Sequence, residues 1–243
     1  MVNRKLYDEE VLQEMIDYYE RHHQTLNDDM LFNVLLHTDM KDLPFLCHTN
    51  TSSIKICQNL NFWKSKYDYH HLPFEVVDRS TKTIEQRIKE YNRIKEAHDV
   101  ATKLVHYTLD KKKESFPVLT LDADSFKKWD QLYWLTPDIK SNIKNHKYPS
   151  DTYFIFDTNH FTIEYRNLSD TDVESVYQII NPDYTLQVDK KTFINYLSSA
   201  FFLVPSVGIS NNYDRPDIYK LPYVTYQDLL HNTEEAKTFY PEW

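Results

Sequence analysis

Residues 26–67 read LNDDMLFNVLLHTDMKDLPFLCHTNTSSIKICQNLNFWKSKY, and this stretch decides the N-terminal fold. Its apolar residues recur at spacings of three and four, which predicts three short helices closed by the aromatic pair Phe62–Trp63. Leu31, Val34 and Leu35, for example, share one face of the first helix. Helices this short are marginal alone. They must therefore bury their apolar faces against one another or against a partner.

Polar residues at the expected helix starts support this interpretation. Asp39 precedes the second apolar pattern and is predicted to be its N-cap, with Asp42 in the first turn at the positive end of the helix. Thr51 or Ser52 is predicted to cap the third helix. The spacing therefore predicts a compact helical module over residues 26–72.

The order of these signals resembles the F-box, a helical module that docks substrate receptors onto a Skp-family linker in cullin-type ubiquitin ligases. Residues 39–46 supply the pattern D-x-x-D-L-x-x-L, and residues 56–64 supply a closing phrase similar to I-C-x-x-x-x-F-W-K. The chain departs from the family at Leu26–Asn27, where Leu-Pro is usual, and it lacks the Trp of the third helix. Such drift is typical of copies from large (giant) DNA viruses.

The resemblance implies a linker-docking face and a module core. The implied docking face consists of Leu31, Val34, Leu35, Met40, Leu43 and Leu46. The implied core consists of Cys47, Ile54, Cys57, Phe62 and Trp63. We therefore expect an adaptor in the host cytoplasm that links an unidentified protein substrate to a Skp/cullin ligase. The alternative is a structural or assembly protein of a virus particle, a virion component that retains the bundle for packing.

Composition argues against several other classes of function. The chain has 243 residues and a formal net charge of −9, which disfavours nucleic acid or an anionic membrane as a partner. Its single glycine, Gly208, leaves no nucleotide-binding loop or nucleophile elbow. An Asp122–Asp124 pair after an apolar run is the one candidate for phosphatase chemistry, but helix capping by Asp124 explains it equally. We expect no catalytic residue and no cofactor.

The two cysteines and the neighbouring histidines lack the spacing of a metal site, so no metal is expected. Cys47 and Cys57 both fall on apolar helix faces, and no secretory signal is visible at the N-terminus. The sequence therefore predicts an intracellular protein with reduced, buried thiols.

The remaining chain predicts a helix-rich α+β protein. An N-terminal helix is expected within residues 1–25, and a long connecting helix, capped by Ser80 or Thr81, within residues 80–109. In the region 110–243, which we expect to bind the substrate or partner, alternation predicts a strand at 117–121, a hairpin over 152–165 and a strand at 184–188. Helices are expected from about 124 to 133, near 171–180, after Asp189 and over 226–231, with turn-rich chain after Pro205.

Aromatic residues are abundant in this C-terminal region. Tyrosine and tryptophan are enriched where proteins grip partners. The candidates are Trp129, Tyr133, Trp134, Tyr148, Tyr153, Tyr213, Tyr219, Tyr223, Tyr226, Tyr240 and Trp243.

Overall fold

A computed structural model of the chain describes residues 27–110, 118–120, 131–138, 140–141, 152–167, 184–205, 208–210 and 224–239. The predicted N-terminal helix, the helix near 171–180 and the Asp122–Asp124 pair lie outside these residues. The chain divides into two compact units, one of Met1–His71 with Arg79–Glu90, the other of Leu72–Asp78 with Tyr91–Trp243. Within the predicted long helix, residues up to Glu90 belong to the first unit and residues from Tyr91 belong to the second.

Four short helices and residues Arg79–Glu90 form the described part of the first unit. The four helices are α1 (Asp28–His37), α2 (Leu43–Cys47), α3 (Thr51–Gln58) and α4 (Leu60–Tyr69). The three predicted helices are present. The pair Phe62–Trp63 was predicted to close the three helices. It lies on a fourth helix, which begins directly after α3 with only Asn59 between them.

The helix caps differ from the predicted ones. Helix α2 begins only at Leu43, after a turn, so Asp39 is not its N-cap, and Asp42 in that position makes no side-chain cap hydrogen bond. Helix α3 is capped by Asn50, whose side-chain oxygen accepts from the Ser53 N–H at 2.8 Å. Asn50 takes this role because its backbone is extended, whereas Thr51 and Ser52 are already helical.

Helix α5 (Ile84–Asp110) is the predicted long helix. It begins after Thr83 and is not capped by Ser80 or Thr81. The Thr83 hydroxyl accepts from the Gln86 N–H at 3.2 Å, and the Gln86 side chain accepts from the Thr83 N–H at 2.9 Å. This reciprocal pair of hydrogen bonds gives partners to two backbone N–H groups that have none within the helix. The predicted apolar stripe is buried: Ile84, Ile88, Tyr91, Ile94, Ala101, Leu104 and Val105.

The second unit contains a six-stranded antiparallel sheet with the order β4-β3-β2-β1-β5-β6. Its strands are β1 (Val118–Thr120), β2 (Thr152–Asp157), β3 (Thr162–Asn167), β4 (Tyr184–Gln187), β5 (Gly208–Ser210) and β6 (Val224–Thr225). The predicted hairpin is β2–β3, with Phe156 opposite Ile163. Strands β5 and β6 were not predicted. They are only three and two residues long and are defined by pairing with distant chain.

Three helices follow in the second unit: α6 (Lys190–Leu203), α7 (Tyr226–His231) and α8 (Glu234–Phe239). Asp189 caps α6 as predicted, because its carboxylate accepts from the Thr192 N–H at 3.0 Å. Helix α7 has the predicted bounds, whereas α8 was not predicted. Leu132 and Tyr133 were expected at the end of a helix, but they lie next to and within a turn.

One apolar cluster forms the core of the second unit. Strands β2 and β3 contribute Phe154, Phe156 and Ile163, and the facing side of α6 contributes Phe193 and Leu197. The Phe156 and Phe193 rings meet edge to face at 5.5 Å. The fold is therefore helix-rich α+β, as the sequence predicts.

Candidate docking site

The six residues predicted to contact a linker fall into two sets. Four are buried in the first unit: Leu31, Val34, Leu35 and Leu43. Met40 and Leu46 keep part of their surface exposed. Most of the predicted docking face is therefore packed inside the bundle.

Aromatic packing holds α1 against the later helices. The Phe32 ring meets the Phe62 ring edge to face at 5.6 Å, and Phe62 meets Trp63 at 5.4 Å. The Trp63 indole N–H donates to the Cys57 carbonyl at 2.8 Å. Such edge-to-face pairs add to the stabilisation from buried apolar area. This packing explains why the apolar face of α1 is not free.

A buried lysine donates hydrogen bonds to the backbone carbonyls at the carboxyl end of α1. Lys66 is fully buried, and its ammonium donates to the carbonyls of Leu36 at 2.7 Å and Thr38 at 2.5 Å. The last carbonyls of a helix have no partner within the helix, and a cation there also suits the helix dipole. Burial lowers the pKa of Lys66 to about 8, while Asp39 opposes that shift. Sequence alone gave no sign that this lysine points inward.

Most of the residues predicted to form the module core are buried. Cys47, Cys57, Phe62 and Trp63 are fully buried, and Ile54 is half-buried. The prediction of reduced thiols is wrong, however, because Cys47 and Cys57 form a disulfide. Helices α2 and α3 meet with the two Cα atoms 5.8 Å apart, within the range that a disulfide requires. The bond ties a five-residue helix to its neighbour.

Phe45 is the large apolar side chain that α2 leaves in solvent, with 76% of its surface exposed. Leu43 and Cys47 point into the bundle, so Phe45 lies on the opposite side of the helix. Met40 and Leu46 are the partly exposed apolar residues beside it in sequence. We call Met40, Phe45 and Leu46 the α2 surface. The sequence interpretation missed Phe45, although the helical spacing of Leu43, Leu46 and Cys47 already excludes it from the inner face.

Charged residues accompany the α2 surface. Asp39, Lys41 and Asp42 are exposed in the turn before α2, and the Lys41 ammonium lies 3.7 Å from the Asp39 carboxylate. At the other end, the His48 ring lies 2.7 Å from the Pro44 carbonyl and 3.4 Å from the Glu85 carboxylate. An apolar centre with a polar rim is the usual composition of a protein interface.

Ion pairs hold the start of α5 in the same unit. The Glu90 carboxylate accepts from Lys82 at 2.6 Å and from Arg87 at 3.0 Å, and Arg87 also donates to the Ser80 carbonyl at 2.6 Å. Arg87 and Glu90 are buried. Backbone and Thr83 hydrogen bonds lower the pKa of Glu85.

The aromatic candidates of the second unit serve its core where they are described. Trp134 and Tyr226 are buried, and the Trp134 ring stacks on Tyr196 at 5.4 Å. Tyr133 is partly buried, and burial raises its pKa. The side chains of the other predicted aromatic candidates lie outside the described part of the chain.

Two further searches bear on chemistry. Within the described ranges, no group of three His, Cys, Asp or Glu side chains could hold a metal ion. None of the described helices combines the length and the apolar character that crossing a bilayer requires.

Comparison with family models, with curated proteins and with solved structures gives no match to this chain.

Proposed function

We propose that the protein is a non-enzymatic adaptor. In this proposal the N-terminal bundle docks a Skp-family linker of a cullin-type ubiquitin ligase in the cytoplasm, and the second unit binds the protein to be ubiquitylated. The observation that supports the proposal is the 76% exposure of Phe45 within the D-x-x-D-L-x-x-L segment. Phe45 is flanked by the partly exposed Met40 and Leu46, and aromatic residues, phenylalanine included, are enriched at the centres of protein interfaces.

The proposed docking surface differs from the one that the resemblance implies. Leu31, Val34, Leu35 and Leu43 support the bundle from inside, and the linker contacts the α2 surface, Met40, Phe45 and Leu46. The exposed charges of Asp39, Lys41 and Asp42 form the rim. Phe45 is therefore the residue whose loss should affect binding most, because it presents the largest free apolar area.

Calorimetric titration with a purified Skp-family linker tests the proposal. We expect wild-type protein to bind and Phe45→Asp to weaken binding by at least about tenfold, because a charge replaces the central anchor. Phe45 is exposed, so this variant should stay folded. Asn61→Asp introduces the same charge at an exposed position on α4 and is the matched control. Absence of binding by wild type, or equal binding by Phe45→Asp, would contradict the proposal.

A second candidate is a structural or assembly protein of a large DNA virus particle. The burial of four of the six predicted contact residues favours it, because a bundle kept only for packing has no need of a free face. Purified particles distinguish the two functions. Stoichiometric recovery of this protein without any linker supports assembly, whereas a linker recovered in equal amount supports the adaptor.

A further inference from the structure

A cleft of about 290 Å3 lies in the second unit, where the ends of α6 and α7 meet the middle of α5. The cleft is lined by the apolar and aromatic residues Phe201, Phe202, Pro205, Tyr226 and Leu230, by Gln227, and by the ionisable residues Arg93, Glu96 and His231. A cleft of this size is at the lower limit of small-molecule sites. It therefore suits one large side chain better than a cofactor.

The inner wall of the cleft is aromatic and closely packed. Phe201 is fully buried, and Tyr226 is 4% exposed. Their rings stack at 5.3 Å with an interplanar angle of 23°. Phe202 and Leu230 are half-buried. Because the wall is already packed, an apolar side chain that enters the cleft gains contacts without reordering it.

Arg93 supplies a positioned cation at the edge of this wall. Its guanidinium carbon lies 5.0 Å from the centre of the Phe202 ring, which is cation–π geometry. The Arg93 side chain is exposed, and it forms no ion pair with any other residue that the structure describes. Stacking leaves the in-plane N–H donors of a guanidinium free. Arg93 is thus held ready for a carboxylate.

Glu96 restricts which acidic ligand fits. It lines the same cleft as Arg93, and both charges act on the Tyr226 hydroxyl: burial and the carboxylates of Glu96 and Asp99 raise the pKa of Tyr226 to about 12, and Arg93 opposes that shift. Glu96 would repel a second carboxylate placed beside the first. The cleft therefore favours one acidic group next to an apolar one.

We propose that this cleft binds a linear segment of a partner protein, which inserts one aliphatic or aromatic side chain and places one carboxylate, within two positions of it, on Arg93. The further statement that this segment belongs to a protein to be ubiquitylated rests on the proposed adaptor function. The peptide site itself depends only on the described residues of the cleft.

A random dodecapeptide display library, selected on the full chain, tests the proposal. We expect the selected peptides to share an apolar residue within two positions of a single Asp or Glu. Fluorescence polarisation with the best synthetic peptide then measures the variants. Arg93→Glu should weaken binding at least about tenfold, because it replaces a charge-assisted pair with repulsion. Glu96→Gln should bind as tightly or more tightly.

Lys95→Glu is the matched control, since it makes the same charge change on an exposed part of α5 that does not line the cleft. It should change the affinity less than twofold. The proposal is overturned if no peptide is enriched, if the peptides share no carboxylate, or if Lys95→Glu weakens binding as much as Arg93→Glu. Calorimetric titration of the Arg93→Glu variant with the linker separates the two proposals. A variant that loses peptide binding but still binds the linker is affected only in the cleft.

Discussion

The two units of this chain stabilise their interiors by different means. Among the described residues, the buried charged side chains all belong to the first unit: Lys66, Arg87 and Glu90. The disulfide also belongs there. The second unit instead surrounds one continuous apolar cluster built from the sheet and α6. The first unit therefore adds buried charges and a covalent bond to its apolar packing, whereas the described part of the second buries no charged side chain.

Element length explains this difference. Helices α1 to α4 have 10, 5, 8 and 10 residues, so each can bury only a few apolar side chains. Short helices also leave a large share of their backbone groups without partners in the helix. Two kinds of contact compensate for the small apolar area and for the unpaired backbone groups. They are the hydrogen bonds of Lys66 and the asparagine caps, and the disulfide. In the second unit the 14-residue α6 covers a sheet and needs fewer such contacts.

Removing the carboxylate of the ion-pair cluster should have the largest effect. Glu90→Ala removes the carboxylate that pairs with the buried Arg87 and with Lys82, and we expect a loss of about 3–5 kcal/mol in the first unit. Hydrogen exchange of α4 and early α5 amides measures this opening free energy. Glu96→Ala, at an exposed position of the same helix, should cost less than about 0.5 kcal/mol. A similar small loss from Glu90→Ala would contradict the assigned role of buried charge.

Truncating the apolar core should have the next largest effect. Leu197 is fully buried among the core residues of the second unit. Leu197→Ala is expected to cost about 2–5 kcal/mol, because it removes buried methyl groups and leaves a cavity. Urea denaturation followed by circular dichroism measures it. Leu230→Ala, at a half-buried position, should cost clearly less. Equal losses would show that packing in this core is loose.

Reducing the disulfide should destabilise the first unit by up to about 3 kcal/mol, given a separation of 10 residues between the cysteines. We expect faster hydrogen exchange in α2 and α3 after reduction, with α6 unchanged. Disulfides are rare in the cytosol, so this experiment also measures how well the bundle holds in a reducing compartment. A Cys47→Ala, Cys57→Ala variant that exchanges like the oxidised protein would contradict the prediction.

Replacing the buried lysine should cost about 1–3 kcal/mol, because Lys66→Met leaves the carbonyls of Leu36 and Thr38 without a donor. Lys64→Met, at an exposed position, is the control.

The effect of Lys66 should also depend on pH. Its pKa is about 8 in the fold and 10.5 as the reference value. Between these values the unfolded chain holds more protons, so this group makes stability rise with pH. The increase from pH 7 to pH 9.5 should therefore be larger in wild type than in Lys66→Met. An equal increase in both proteins would exclude Lys66 as its source.

The smallest effect is expected at a cap of the second unit. The Asp228 carboxylate accepts from the Thr225 N–H at 2.7 Å, and this hydrogen bond lowers the pKa of Asp228. Asp228→Ala should cost about 1 kcal/mol. The wild-type contribution is present above pH 4 and is lost as the pH falls through the lowered pKa. Thermal unfolding at pH 7 and pH 3 measures it; a variant that is equally destabilised at both values would contradict the carboxylate's role.

The sequence predicted those elements whose signals are local. The β2–β3 hairpin, helix α7 and the cap at Asp189 all follow from alternation, apolar spacing or a single polar residue. Caps were misplaced where several polar residues precede a helix, as with Asn50 and Thr83, because only the backbone conformation decides between them.

The site was less predictable because its properties arise from tertiary packing. The motif identified α2, but it could not show that Leu43 turns inward while Phe45 remains in solvent. The disulfide depends on how α2 and α3 cross. The cleft at Arg93 combines three helices that are distant in sequence, so no local pattern indicates it.

Hydrogen exchange of the full chain, with and without a purified Skp-family linker, tests the adaptor account most directly. We expect the linker to protect amides of residues 40–46, which carry the α2 surface, and to leave the β2–β3 hairpin at 152–167 unchanged. Absence of protection in residues 40–46 at saturating linker, or protection confined to the second unit, would contradict it.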